Sequence, residues 1–146
     1  MAKFRFRLQG LLDIKQKIED QKRQEYGLAV AAAEREKQKK QELLDKKEEK
    51  IIEFRRRIEK IIDSQSHESY NNYIEFLKEE VLRQEKVILE AEKIVEKKRL
   101  ELVDSMKERK TLEKLSERQY DEFLIEQKLA QQRVVDEIVS YRFDNK

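Results

Sequence analysis

The stretch "IIDSQSHESYNNYIEF", Ile61–Phe76, decides how this chain folds. On either side, charged and apolar residues alternate in a helical rhythm. Here two isoleucines run into Asp63, Ser64, Gln65, Ser66 and His67, then Ser69, Asn71 and Asn72, with rings at Tyr70, Tyr73 and Phe76. Serine and asparagine side chains compete for nearby backbone groups, which favours turns and caps over helix interiors. One polar break near the midpoint reads as the reversal of a hairpin, with residues 63–71 as the turn and Ser66 or Ser69 as cap of the next helix. A turn alone needs no aromatic rings, so their presence raises a second question.

Outward from the break, each half carries one apolar stripe. Before it, the stripe runs through Phe4, Leu8, Leu11, Ile18, Ala29 and Ala32, with Lys15, Lys22 and Glu25 on the same face. It then continues through Leu44, Ile51, Phe54, Ile58 and Ile61, with Lys47 in one core-facing slot. Leu8 and Leu44 are ten turns apart at ~3.6 residues per turn, so the stripe drifts from a strict heptad, as in a nearly straight helix. After the break a second stripe passes Tyr73 or Ile74, Leu77, Val81, Ile88, Ala91, Val95 and Leu102. It goes on less regularly through Met106, Leu112, Leu115, Phe123, Leu129, Val134 or Val135, and Ile138. A one-striped helix of this length is unstable alone in water and must cover its stripe.

These stripes predict an all-α fold: one coiled-coil unit over residues 1–146, with two long helices, 1–62 and 72–142, paired as an antiparallel coiled-coil hairpin. A turn centred near residue 67 or 68 would set Phe54 near Val81. It would also set "GLAVAAA", Gly27–Ala33, near Ser105, Met106 and Arg109, and Leu8 near Gln127, leaving the last ~10 residues projecting. Two continuous helices pairing between chains is the rival architecture.

Composition agrees with this reading. The 146 residues hold no Pro and two Gly, and 45% are charged, far above the roughly 25% of ordinary domains. Hydrophobic residues make up 38%, enough for a stripe but not for buried layers. Disorder is the competitor, yet a disordered chain has no reason for helical spacing of its apolar residues. A net charge of +2 gives no footprint for nucleic acid. Residues 1–62 carry 18 basic against 12 acidic side chains and the remainder 16 against 20, so the halves are of opposite sign.

Catalytic chemistry is not visible. There is no cysteine, which excludes disulfides and thiolate sites and permits a reducing cytoplasm. His67 is the only histidine, with Asp63 and Glu68 as poor company for a metal, and there is neither a phosphate loop nor a nucleophile beside a base. The expectation is therefore a protein that is not an enzyme, with no metal and no cofactor. No apolar run reaches the ~18 residues of a membrane span, and "MAKFRFRLQGLLDIK" is too charged for a signal peptide, so a cytoplasmic protein without membrane insertion is expected. The basic clusters "REKQKK" and "FRRR" are interleaved with glutamates and read as charge-laced helix faces. "KFRFR", Lys3–Arg7, reads as the start of the first helix, with Phe4 or Phe6 partly free.

Three features together resemble a known family: the opening "FRFRLQGLLDIKQ", Phe4–Gln16; "NNYIEFL", Asn71–Leu77; and the distal "KRLELVDSMKERKTLEKLSERQYDEFLIEQKLAQQRVVDEI", Lys98–Ile138, with its Asp136 and Glu137 pair. Their order and spacing are similar to the FliJ family of the bacterial flagellar type III protein export apparatus. The resemblance implies a non-enzymatic coiled-coil stalk at the cytoplasmic face of the membrane. Such a stalk inserts its termini into the hexameric flagellar export ATPase, links it to the transmembrane export-gate protein and escorts export chaperones. Through the Asn-Tyr-x-x-Phe-[Ile/Leu] match it implies an export-gate contact at Tyr73, Phe76 and Leu77; where some members have an apolar residue four positions after the Phe, this chain has Glu80. For the ATPase it implies Phe4, Arg7, Leu8, Gln9 and Leu11 with Gln127, Asp136, Glu137 and Arg142. A structural coiled-coil homodimer and a chaperone-binding module are the alternatives. On residue geometry alone, Tyr73, Ile74, Phe76 and Leu77 cannot all face one partner helix, so at least one ring should be exposed.

Overall fold

The computed structural model describes residues 2–59 and 64–145. Two helices, α1 (Gln9–Ile58) and α2 (Ser64–Asp144), pack against one another as a helical hairpin, with no strand among the described residues. The chain divides into two compact units, Met1–Gln21 with Val103–Lys146 and Lys22–Leu102. In both, a stretch of α1 lies along a stretch of α2.

The seam in each unit is a heptad read from burial. From Leu8, just before α1, the inward line runs through Leu12, Lys15 and Glu19 in the terminal unit, then Lys22, Tyr26, Ala29, Ala33, Glu36, Lys40, Leu43, Lys47, Lys50 and Phe54 in the other, with Ile18, Glu25, Val30, Ala32 and Ile51 half-buried beside it. On α2 the inward positions are Tyr70, Ile74, Leu77, Val81, Gln84, Ile88, Ala91, Val95, Lys98 and Leu102, then Ser105, Arg109, Leu112, Ser116, Gln119 and Phe123. Spacings alternate between three and four throughout, the signature of a coiled-coil seam. The drift expected from the apolar residues of α1 is therefore absent. Ala33 rather than Ala32, Leu12 rather than Leu11, and Leu43 rather than Leu44 take the inward positions, while Leu11 and Leu44 face water. Charged residues fill much of the α1 seam, so its heptad is invisible to a count of apolar side chains; their aliphatic stems cover the partner while the heads reach its edge.

Register follows from that seam. Phe54 stacks on Tyr70 with ring centres 3.8 Å apart, Lys15 pairs with Glu108 at 2.8 Å, and Lys22 pairs with Glu101 at 3.4 Å. The residue numbers of these pairs sum to 123 or 124, against the 135 expected. The expected partners change accordingly. Phe54 meets Tyr70 and His67 rather than Val81, Arg109 meets Glu19 rather than the Gly27–Ala33 run, and Leu8 lies level with Ser116 rather than Gln127.

The physical cause is that α2 starts early. Residues 64–71, expected as turn, are helical, so Ser66 and Ser69 lie inside the first turns of α2 and do not cap it from outside. Polar composition marked the neighbourhood of the reversal but not its edge, because serine and asparagine are tolerated on an exposed helix face. Asp63, the first expected turn residue, and Ile61, the last of the expected stripe, lie outside the described residues.

The N-terminal arm also departs from expectation. Helix α1 begins at Gln9, whose N–H donates to the Phe6 carbonyl at 3.1 Å; Ala2–Phe6 is not helical. Outside a helix, side chains two residues apart can turn the same way, and this is what Phe4 and Phe6 need. Phe4 packs edge-on against Tyr120 at 5.3 Å and against Phe123 at 5.6 Å, while Phe6 is buried. Helical geometry would have separated the two rings.

Candidate interaction surfaces

In the unit of residues 22–102, the surface nearest the reversal is built by the last turns of α1 and the first turns of α2. Phe54 and Tyr70 lie nearly parallel, 6° apart, and His67 meets Phe54 edge-on at 5.0 Å. Offset stacks and T-shaped pairs of this kind contribute ~0.5–1.5 kcal/mol beyond area burial. Ile74 and Leu77 fall one turn apart on the inner face and are covered, Leu77 at only 2% exposure. Tyr73 and Phe76 point outward, 37% and 51% exposed, with ring centres 6.4 Å apart, and the Lys50 ammonium sits 5.4 Å from the Tyr73 ring centre.

Of the three residues expected at the gate contact, the structure thus leaves Tyr73 and Phe76 accessible and puts Leu77 in the seam. Helix periodicity separates them: Tyr73 and Phe76 are three apart on the flank, while Ile74 and Leu77 are three apart one step inward. Glu80, in place of an apolar residue, accepts a hydrogen bond from Arg83 on its own helix.

The terminal unit shows a different surface. Arm and helix leave a shallow depression lined by Phe4, Arg5, Phe6, Gln9, Ser116 and Tyr120. Among the expected ATPase-contact residues, Phe4, Leu8 and Gln127 are half-buried, and Arg7, Gln9, Leu11, Asp136, Glu137 and Arg142 are exposed. Beyond Gln127, every described residue of α2 is exposed, including Leu129, Val134, Val135, Ile138, Val139, Tyr141 and Phe143. The projection is nearer 18 residues than 10, a consequence of the shifted register. Composition gave no sign of this, because the stripe there looks like any other and only the partner is missing.

Each unit is also tied by ions. In the terminal unit Arg109 donates to Glu19, with side chains 19% and 5% exposed, and pairs with Glu113 at 2.7 Å. The hydrogen bond to Glu19, then that to Glu113, holds the Arg109 guanidinium above its usual range. In the other unit Lys22 and Lys98 meet Glu25 and Glu101 in a four-membered network at 3.3–3.5 Å. Partial burial pushes the Glu101 carboxyl up, but Lys98 and Lys22 together outweigh it and leave it below the ordinary carboxylate value. Gln84 donates to the Glu36 carboxylate at 2.6 Å and to the Glu36 carbonyl at 2.9 Å, and this contact, with Lys39, lowers the Glu36 pKa.

Nothing among the described residues resembles a catalytic or metal centre: no group of three metal-ligating side chains is assembled, and no helix is long and apolar enough to cross a membrane. His67 is taken up by its aromatic neighbours.

A family model described as "Flagellar FliJ protein" matches residues 4–146. The flagellar FliJ protein of Bacillus subtilis (strain 168) is 26% identical over 140 residues, which span 96% of this chain and 95% of that relative. No solved structure matches the chain.

Proposed function

The chain belongs to the FliJ family of flagellar proteins, and from that membership we propose that it serves as a non-enzymatic coiled-coil stalk of the flagellar export apparatus. In this reading its termini enter the hexameric export ATPase and the surface around Tyr73 and Phe76 contacts the transmembrane export gate, on the cytoplasmic side of the membrane. Export chaperones are further partners on the same reading.

The observation that carries it is the apolar surface left bare by the hairpin's own seam. Residues 129–143 of α2 present seven large apolar side chains with no covering helix. Burying one such side chain is worth ~1.5–3 kcal/mol, so a partner covering three or four of them gains substantial affinity. Asp136, Glu137 and Arg142 stand among them and would set register within a charged ring, since charge pairs at an interface fix partner and orientation more than affinity.

The test is capture of the cognate export ATPase by chains lacking residues 1–10 or residues 130–146. Loss in both cases, with helix content retained by circular dichroism, is expected. Full capture by both shortened chains refutes the ATPase assignment. The structural-homodimer alternative is separated by sedimentation: a dimer that persists on dilution, with no ATPase capture, favours it.

A further inference from the structure

We propose that the groove beside the exposed rings of the 22–102 unit is a docking site for an acidic peptide segment carrying an apolar anchor. The proposal deepens the gate reading above and rests on it. The groove runs between the end of α1 and the start of α2, with a volume of about 690 Å³. Its floor is apolar, made by Phe54, Ile58, Tyr70 and Tyr73, and its rim carries Lys50, Arg56 and Arg57.

Three observations give the rim a positive field. Among the described residues Glu53 is the only carboxylate lining the groove, and it is already shared between Arg57 at 3.0 Å and Lys50 at 3.7 Å. Among the described residues Arg56 makes no ion pair and no acidic residue stands in the first turn of α2, of which Gln65, Ser66 and His67 line the same groove. Basic residues in the last turn of α1 do offset that helix's own dipole. That role does not require them to face a groove floored by rings, nor does it need two of them there. Arginine offers a planar fork suited to carboxylates, and an apolar floor excludes water from the pair. An acidic segment with one leucine or phenylalanine satisfies both halves of the site.

The probe is the cytosolic region of the cognate export-gate protein, titrated against the full chain at low and high salt, with sedimentation of phosphatidylglycerol vesicles alongside. The variants are Arg56→Glu with Arg57→Glu, Arg56→Gln with Arg57→Gln, and Tyr73→Ala with Phe76→Ala, each checked for helix content. The expected result is a loss of about tenfold or more for the charge reversal, a smaller loss for the glutamine pair, and weakening with salt. Binding that falls only in the Tyr73 and Phe76 variant, indifferent to salt and to both arginine pairs, overturns the groove while sparing the gate reading. Absence of gate binding by the unaltered chain overturns both. Arginine-dependent sedimentation with the vesicles, without gate binding, assigns the groove to an anionic membrane surface instead and refutes the peptide.

Discussion

At the scale of single residues, adjacent positions have opposite fates, and the division is testable. Leu77 is the most deeply covered of the described side chains, while Phe76, next to it, is half exposed. Leu77→Ala should cost about 2–4 kcal/mol in chemical denaturation, within the usual range for a buried leucine, whereas Phe76→Ala should change stability by ~0.5 kcal/mol or less. Equal losses would mean that the two residues share the seam. The Glu19 and Arg109 pair makes a second case. Removing one partner leaves a charge in a covered position, whereas replacing both with apolar residues does not. Glu19→Ala should therefore lower the denaturation midpoint more than the double change Glu19→Leu with Arg109→Leu; the reverse order would show that the pair is solvated. A chain read one residue at a time reveals neither fact, because Glu19 resembles every other glutamate until its register is known.

At the scale of the helices, α2 was far more legible than α1. Its inward positions from Ile74 to Leu102 are largely aliphatic, so an apolar count finds them; on α1, Lys15, Glu19, Lys22, Glu36, Lys40 and Lys47 occupy equivalent positions. A reading weighted by hydrophobicity slid to Leu11, Ala32 and Leu44, one step off the seam in each case. The reversal was found because polar residues cluster there, but its boundary was missed because helix tolerates them on an exposed face. Of the interaction surfaces, the exposed rings were foreseeable from helix periodicity. The bare end of α2 was not, since it depends on where α1 begins. Helix α1 also contains Gly27, which is exposed, lies within regular helix and has no atom near the site of an added Cβ. Gly27→Ala should accordingly stabilise by about 0.5–1 kcal/mol, measured as a shift in denaturation midpoint. An unchanged or lower midpoint would refute that gain.

For the molecule as a whole, surface dominates. It exposes 12330 Å² to water, against about 8000 Å² expected for a globular chain of this mass, so few side chains are removed from solvent and ionic contacts take a larger share of what holds each unit together. Their pH dependence has a definite sign. Glu36 and Glu101 have pKa values held below the ordinary carboxylate value, so the stability they contribute is present at neutral pH and is lost as pH falls through their folded values. Lys98, raised chiefly by its hydrogen bond to Glu25, contributes below its ordinary pKa and loses that contribution only as pH rises through the raised value. Thermal melts followed by circular dichroism should therefore show a lower midpoint at about pH 3 than at pH 7, and a smaller acid loss in Glu101→Gln. A midpoint that rises on acidification would remove the ionic contacts from this role.

The constant sum of facing residue numbers has a consequence for how such a chain can change in length. One residue inserted into either arm leaves the layers between it and the reversal in place but moves every layer on its far side, toward the termini, off its partner, whatever residue is added. Seven inserted into one arm restore the inward phase but still pair each layer with the wrong neighbour unless seven enter the other arm at the matching level. Viable length variants should therefore come as matched pairs of heptad edits, one in each arm. The segment beyond Gln127 is released from that rule, because no facing layer constrains it.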